Sequence, residues 1–183
     1  VTFVVNCFTL RSSPMKIAIV GCGFVADYYL STLPFHPQLE LIGVTDKLPE
    51  RVQKFSEFHS VPTYDSVTDL LADPQVDIVL NLTNPRNHFE VSKAALEAGK
   101  HVYSEKPLAM AIEDAKTLVA LAEEKNLHIS SAPCSALSET AQTVWKALRE
   151  EIIGKVYLVY AEMDDGLVHK MPYQQWVSSS GMP

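Results

Sequence analysis

The sequence predicts an α/β protein built on a doubly wound parallel sheet, and three observations lead there. Short apolar runs alternate with helical patterns along most of the chain. The first run, Lys16–Val20, opens directly into Gly21-Cys22-Gly23-Phe24-Val25-Ala26, a G-x-G-x-x-A turn between strand and helix. The second run, Leu39–Thr45, ends on an acid, Asp46. Together these form the Rossmann-type dinucleotide-binding fingerprint in its required context.

The elements follow in order. Lys16–Val20 reads as a buried strand, and Val25–Leu33 as its helix, stopped by Pro34. Leu39–Thr45 is the second strand. A helix runs from about Pro49 to Phe58, with Pro49 suited to its first turn. Val61–Tyr64 reads as a short strand, and Ser66–Leu71 as a short helix that Asp65 caps. Asp77–Leu82 is a strongly apolar strand. His88–Ala98 is helical, with Gly99 as its stop. His101–Ser104 is the next strand. Ile112, Ala115, Leu118, Val119 and Ala122 recur at helical spacing within Ile112–Lys125. Leu127–Ser131 closes the series as a strand.

The pattern changes after Ala132-Pro133. A helix from about Glu139 to Ile152 leads to Gly154, then to a long strand, Lys155–Met163, and a turn at Asp164-Asp165-Gly166. One helix and one strand leave an unpaired edge and an uncovered face. The chain is therefore expected to be a fragment of a longer protein. Residues 1–14 are expected to be an extension or disordered tail, with Met15 as the natural start. Residues 15–133 form the dinucleotide-binding domain, and 134–183 the incomplete start of a second α/β domain.

Composition narrows the function classes. The 183 residues are 47% apolar, enough for a real core, and the formal net charge is −7. No Lys/Arg cluster invites a nucleic-acid backbone or an anionic membrane. No apolar run approaches a bilayer span, and Val1–Leu10, short and without a basic lead, makes a poor signal peptide. Cys7, Cys22 and Cys134 suit neither a zinc site nor a disulfide framework, which points to a reducing cytoplasm. Cys22 lies in the phosphate loop, where a thiolate would be electrostatically favoured. It reads as a tolerated loop residue, with redox sensing as the alternative.

The fingerprint assigns chemistry residue by residue. Gly21 allows the tight turn out of the strand, Gly23 lets a pyrophosphate approach the backbone, and Ala26 lets the helix pack on the sheet. The helix N-terminus, at Phe24 and Val25, offers free N–H groups to phosphate. Asp46 is placed to accept from the adenosine ribose hydroxyls. It would repel a ribose phosphate and so favours NAD, while Lys47 beside it partly offsets this and leaves NADP open. Methyltransferases carry a similar glycine loop and acid, so the loop alone leaves that reading open.

A second segment is more specific. Ala98-Gly99-Lys100-His101-Val102-Tyr103-Ser104-Glu105-Lys106-Pro107 puts Lys106 at the C-terminal end of a parallel strand, where open α/β sheets bind ligands. Pro107 restricts the backbone before it. With the glycine loop and Thr83-Asn84-Pro85-Arg86-Asn87-His88, this segment resembles the Gfo/Idh/MocA oxidoreductases, over roughly Met15 to Met163.

The resemblance implies a Rossmann domain that binds NAD or NADP and a second domain that holds a small, carbohydrate-like substrate and often mediates homo-oligomerisation. It implies that Lys106 is the catalytic lysine at the reacting hydroxyl or carbonyl. Glu105 and Pro107 are its neighbours in the site, with a Lys-Pro bond that is commonly cis. Thr83, Asn84 and Pro85 line the nicotinamide side, and His88 lies at or near the cofactor pocket. A packing or capping role for His88 is the alternative. The implied activity is hydride transfer between a nicotinamide cofactor and a sugar-like or polyol substrate. An NAD-dependent glycosidase and a non-catalytic dinucleotide sensor are the alternatives. The family's further Asp/His acid–base pair has no counterpart before Pro183, so the chain alone is expected to be inactive.

Overall fold

The first strand, β1 (Met15–Val20), is apolar on both faces because both faces are covered. Ile17 and Ile19 point one way, Ala18 and Val20 the other, and all four are buried. Each fully buried isoleucine contributes about 1.5–3 kcal/mol. The computed structural model describes residues 13–132 and 135–162. Residues 1–12 of the expected tail at 1–14, with Cys7, and also Pro133, Cys134, the turn at 164–166 and the chain end, lie outside the described residues.

The chain alternates β1, α1 (Phe24–Thr32), β2 (Leu39–Thr45), α2 (Pro49–His59), α3 (Val67–Ala72), β3 (Ile78–Asn81), α4 (His88–Glu97), β4 (His101–Ser104), α5 (Ile112–Glu124), β5 (Ile129–Ser131) and α6 (Glu139–Arg149). The five strands form one parallel sheet in the order β2-β1-β3-β4-β5. Thr63 makes a single parallel bridge to Val44 on the outer side of β2. With that rudimentary strand counted in chain order, the arrangement is 3-2-1-4-5-6, a Rossmann sheet whose switch point lies between β1 and β3.

Two apolar layers sandwich the sheet. Ile17, Ile19 and Val44 pack with Ala26 of α1 and with Val52 and Phe55 of α2. Ala18, Val20 and Val79 pack with Leu70 of α3, Ala95 and Leu96 of α4, and Leu118 and Ala122 of α5.

Several sequence expectations shift. Val61–Tyr64 is a lone bridge rather than a strand. Tyr64 instead lays its ring over Gly43, where any Cβ would collide with it. Ser66, not Asp65, caps α3: its hydroxyl accepts from the Asp69 N–H at 3.1 Å. α1 closes at Thr32, and Leu33–Phe35 adds one 3₁₀ turn in which the proline fits near the start.

The chain divides into two compact units after Ser131. In the second unit α6 stops at Arg149 rather than Ile152, because Glu151, just past the C-cap Glu150, takes positive φ. Residues 155–162 are exposed and form no strand, because no described segment pairs with their backbone. Among the described residues no helix is long and apolar enough to cross a membrane.

Candidate dinucleotide and substrate site

The fourteen residues singled out in the sequence lie at the C-terminal ends of four neighbouring strands. Gly21 to Ala26 follow β1, Asp46 and Lys47 follow β2, Thr83 to His88 follow β3, and Glu105 to Pro107 follow β4. A parallel sheet with short connections makes this convergence unavoidable, since every strand delivers its next loop to the same edge.

Gly21 and Gly23 have different physical roles. Gly21 has φ +107°, and a Cβ there would stand 2.6 Å from the Leu82 carbonyl oxygen. Glycine is therefore what lets the β1 loop lie against the β3 loop. A Cβ on Gly23 would meet nothing within 4 Å. Its missing side chain leaves open space beside the N-terminus of α1, where Gly23 sits as N-cap. The N–H groups of Gly23, Phe24 and Val25 have no protein acceptor among the described residues. An uncapped helix start beside an empty cradle fits the pyrophosphate of a dinucleotide. Phe24 stands 74% exposed at the mouth, edge-on to Tyr28.

Asp46 is more engaged than the sequence suggested. Its Oδ2 accepts from the Cys22 N–H at 2.9 Å, and its Oδ1 from the Leu48 N–H at 3.0 Å. Arg51 Nη1 lies 3.6 Å from Oδ2, and the side chain is only 7% exposed. The carboxylate thus ties the glycine loop to the β2–α2 turn. Each oxygen retains acceptor capacity for a ribose hydroxyl. Lys47 is exposed. Grooves of about 420 and 870 Å³ flank α2; Asp46 lines the first, and Cys22, Arg51 and Lys54 line the second.

The expectation of a favoured Cys22 thiolate is corrected. Burial, followed by the Asp46 carboxylate, pushes this thiol up to about 12. Its Sγ lies 3.7 Å from the Thr45 carbonyl. The loop N–H that would have stabilised a thiolate is already bound to Asp46.

Lys106 is exposed, and no acceptor or acid holds its ammonium among the described residues. The Lys106–Pro107 peptide is cis. Glu105 is held from two sides: Tyr29 Oη donates to its Oε1 at 3.0 Å, and the Lys106 N–H donates to its Oε2 at 3.2 Å. Burial and the Glu105 carboxylate push the Tyr29 phenol well above its ordinary value, so it stays a donor.

Beneath the β3 and β4 loops lies a polar network that the sequence reading did not see. Asn81 is fully buried. Its Nδ2 donates to the His88 carbonyl and to Ser92 Oγ, and its Oδ1 accepts from Thr83 Oγ1 at 2.6 Å. His88 is 1% exposed. Its Nδ1 lies 2.6 Å from the Pro107 carbonyl oxygen and its Nε2 2.9 Å from that of Thr83. The ring therefore faces the protein rather than the pocket surface. Pro85 is buried, while Asn84 is partly exposed at the rim.

Strand order, glycine cradle and terminal acid agree with the family model described as an oxidoreductase family with an NAD-binding Rossmann fold, which matches residues 15–132. This chain belongs to the Gfo/Idh/MocA oxidoreductases. Among relatives of this family, D-glucoside 3-dehydrogenase of Escherichia coli is 29% identical over 154 residues, covering 83% of this chain and 44% of the relative. The WlbA dehydrogenase of Chromobacterium violaceum, solved with NADH and UDP-GlcNAcA, superposes with a TM-score of 0.74 at 32% identity, covering 79% of this chain and 42% of that one. Biliverdin reductase of Synechocystis, solved with biliverdin and NADP+, gives 0.69 at 30% identity, covering 79% and 45%. The chain spans less than half the length of these relatives.

Proposed function

We propose that this chain is the cofactor-binding part of an NAD(P)-dependent oxidoreductase. Its reaction moves a hydride between the nicotinamide and a hydroxyl- or carbonyl-bearing carbon of a small, sugar-like or polyol substrate. One observation carries the reading: an open cradle at Gly23 lies on one strand end, and the Lys106 ammonium, unpaired among the described residues, stands on another end of the same sheet edge. The sugar-like class is supported by the substrates named for the E. coli and C. violaceum relatives.

Each residue has a derivable task. The N–H groups of Gly23, Phe24 and Val25 hold the pyrophosphate, and Asp46 accepts from the adenosine ribose. The bound nicotinamide supplies the hydride acceptor or donor. Lys106 Nζ donates to the reacting oxygen and stabilises negative charge as it develops there. Glu105, anchored by Tyr29, fixes the backbone that carries Lys106. Residues 134–183 are read as the opening of the substrate domain.

The test is a parallel titration of the chain with NADH and NADPH, followed by cofactor fluorescence. NADH is expected to saturate and to bind more tightly than NADPH, because the Asp46 carboxylate repels a 2′-phosphate. Asp46→Ala is expected to weaken NADH by about ten- to a hundredfold, as a hydrogen bond to a charged group is worth roughly 1.5–3 kcal/mol. Tighter NADPH binding would transfer the ribose end to Lys47 and Arg51. Binding of neither by the folded chain would end the cofactor reading.

A further inference from the structure

We infer that His88 is a positioning residue. Its buried ring fixes the Lys106–Pro107 segment against the Thr83–Pro85 segment, and so sets where Lys106 stands over the nicotinamide side. The inference rests on the reading of Lys106 given above, but its geometry stands without a cofactor.

The argument starts from where the sheet ends. The β3–β4 ladder pairs Asn81 with Ser104, and the Glu105 N–H makes one last bond to the Asn81 carbonyl. Past that point no backbone hydrogen bond joins residues 83–87 to 106–108 among the described residues. Pro107 has no N–H to extend the ladder. Among the described residues, the hydrogen bonds that join the two loops past this point are those of the His88 imidazole. It lies 2.6 Å from the Pro107 carbonyl and 2.9 Å from the Thr83 carbonyl, one ring nitrogen to each. Carbonyl oxygens only accept, so the ring holds them by donating. An imidazolium donates to both at once and a neutral ring to one at a time. The doubly protonated ring therefore ties the two segments together, whereas the neutral ring holds one of them and turns a lone pair toward the other carbonyl.

The ring is itself anchored. The His88 carbonyl accepts from Asn81 Nδ2 at 2.9 Å, and Asn81 also binds Thr83 Oγ1 and Ser92 Oγ. Asn81, Ser92 and His88 are all buried, so the network is shielded from water and worth more than its exposed equivalent. A residue that only filled the start of α4 could be any ring of that size. Two polar contacts to two loops, 5 and 19 residues away, mark a different task. With an exposure of 1%, His88 acts on the site through its neighbours rather than by touching a ligand.

The test compares the wild-type chain with His88→Phe, which keeps a ring without donors, and His88→Gln, which keeps a donor group in its amide NH₂. Thermal unfolding first shows which variants are folded. In folded His88→Phe, amide exchange is expected to rise by about tenfold together at residues 83–87 and at Glu105, Lys106 and Leu108, with β1 and β2 within about twofold. NADH affinity is expected to stay within about threefold, since Gly23 and Asp46 are untouched. Protection of Lys106 by NADH against an amine-acylating reagent is expected to fall at least about fivefold, with His88→Gln recovering part of it. Unchanged exchange at Lys106 and Leu108, or unchanged protection of Lys106, would overturn the inference and leave His88 a packing residue. If His88→Phe does not fold, His88→Gln carries the same comparison. If NADH fails to protect Lys106 in the wild-type chain, the cofactor reading falls, while the exchange data still decide whether the ring couples the two loops.

Discussion

Gly21 and Gly23 lie two positions apart in one motif, yet they answer to different demands. At Gly21 a side chain meets positive φ and a carbonyl oxygen at 2.6 Å. Gly21→Ala is expected to cost about 2–4 kcal/mol in denaturant unfolding, from backbone strain plus overpacking. At Gly23 a methyl group enters open space. Gly23→Ala is expected to cost no more than about 1 kcal/mol of stability, the usual loss at an N-cap, while weakening NADH by about tenfold or more. Equal stability losses in the two variants would refute the distinction. Cys22, between them, gives an independent probe. With its thiol pushed up to about 12, its thiolate fraction at pH 8 is roughly a thousandfold below that of an ordinary cysteine. Iodoacetamide should therefore modify Cys22 slowly in the native chain and rapidly after unfolding, as read by peptide mass. Comparable rates would mean that the loop opens far more than its hydrogen bonds to Asp46 imply.

Elements were legible where burial alone decides them. β2 and β4 match the predicted ranges residue for residue, and Val44 and Val102 within them are buried. Val61–Tyr64 and Lys155–Met163 have the same local propensity. A strand also needs a partner edge, which propensity does not encode. Of the candidate site, Gly21, Gly23 and Asp46 were proposed from backbone geometry and strand position, and Lys106 from the resemblance of its segment to the family's motif. Tyr29 was not: it reaches Glu105 across 76 positions, and nothing in α1 announces it. Asn81 did leave a signal, an amide at the end of the apolar strand Ile78–Asn81, where a buried polar group requires partners. The connection around α3 carries its own pH dependence. Tyr64 Oη donates to Asp73 Oδ2 at 2.7 Å; this bond, with the Gln75 N–H, holds the Asp73 carboxyl below its usual range. Burial and the same bond push the Tyr64 phenol up to about 12. The unfolded phenol ionises near pH 10 while the folded one stays neutral. Stability from this group is therefore full below pH 10 and declines from there to about 12. In Tyr64→Phe that alkaline loss should be smaller than in the wild type, measured by urea unfolding between about pH 9 and 11. Identical slopes would show that the Tyr64–Asp73 bond is not kept in solution.

At the scale of the whole molecule, the two units differ in how they use apolar residues. In the first, the apolar side chains of five strands and five helices close into two layers, and every proposed cofactor contact lies within residues 15–132. In the second, α6 has no buried residue. Val144, Trp145 and Leu148 on that helix, and Ile152, Ile153, Tyr157 and Leu158 after it, are all exposed. Exposed apolar side chains in this number favour binding of hydrophobic dyes and association. A chain ending at Ala132 retains both layers and the whole glycine cradle. It is expected to keep NADH affinity within about twofold and unfold cooperatively, since sites without shared partners behave additively. It should also lose most of the anilinonaphthalene sulfonate fluorescence of the full chain. If dye binding persisted, the exposed surface would belong to the first unit, with Phe24, Phe35 and Phe58 as its sources. If NADH binding vanished while the shortened chain stayed folded, residues after Ala132 would be completing the cofactor site, and the sheet edge would be only part of it.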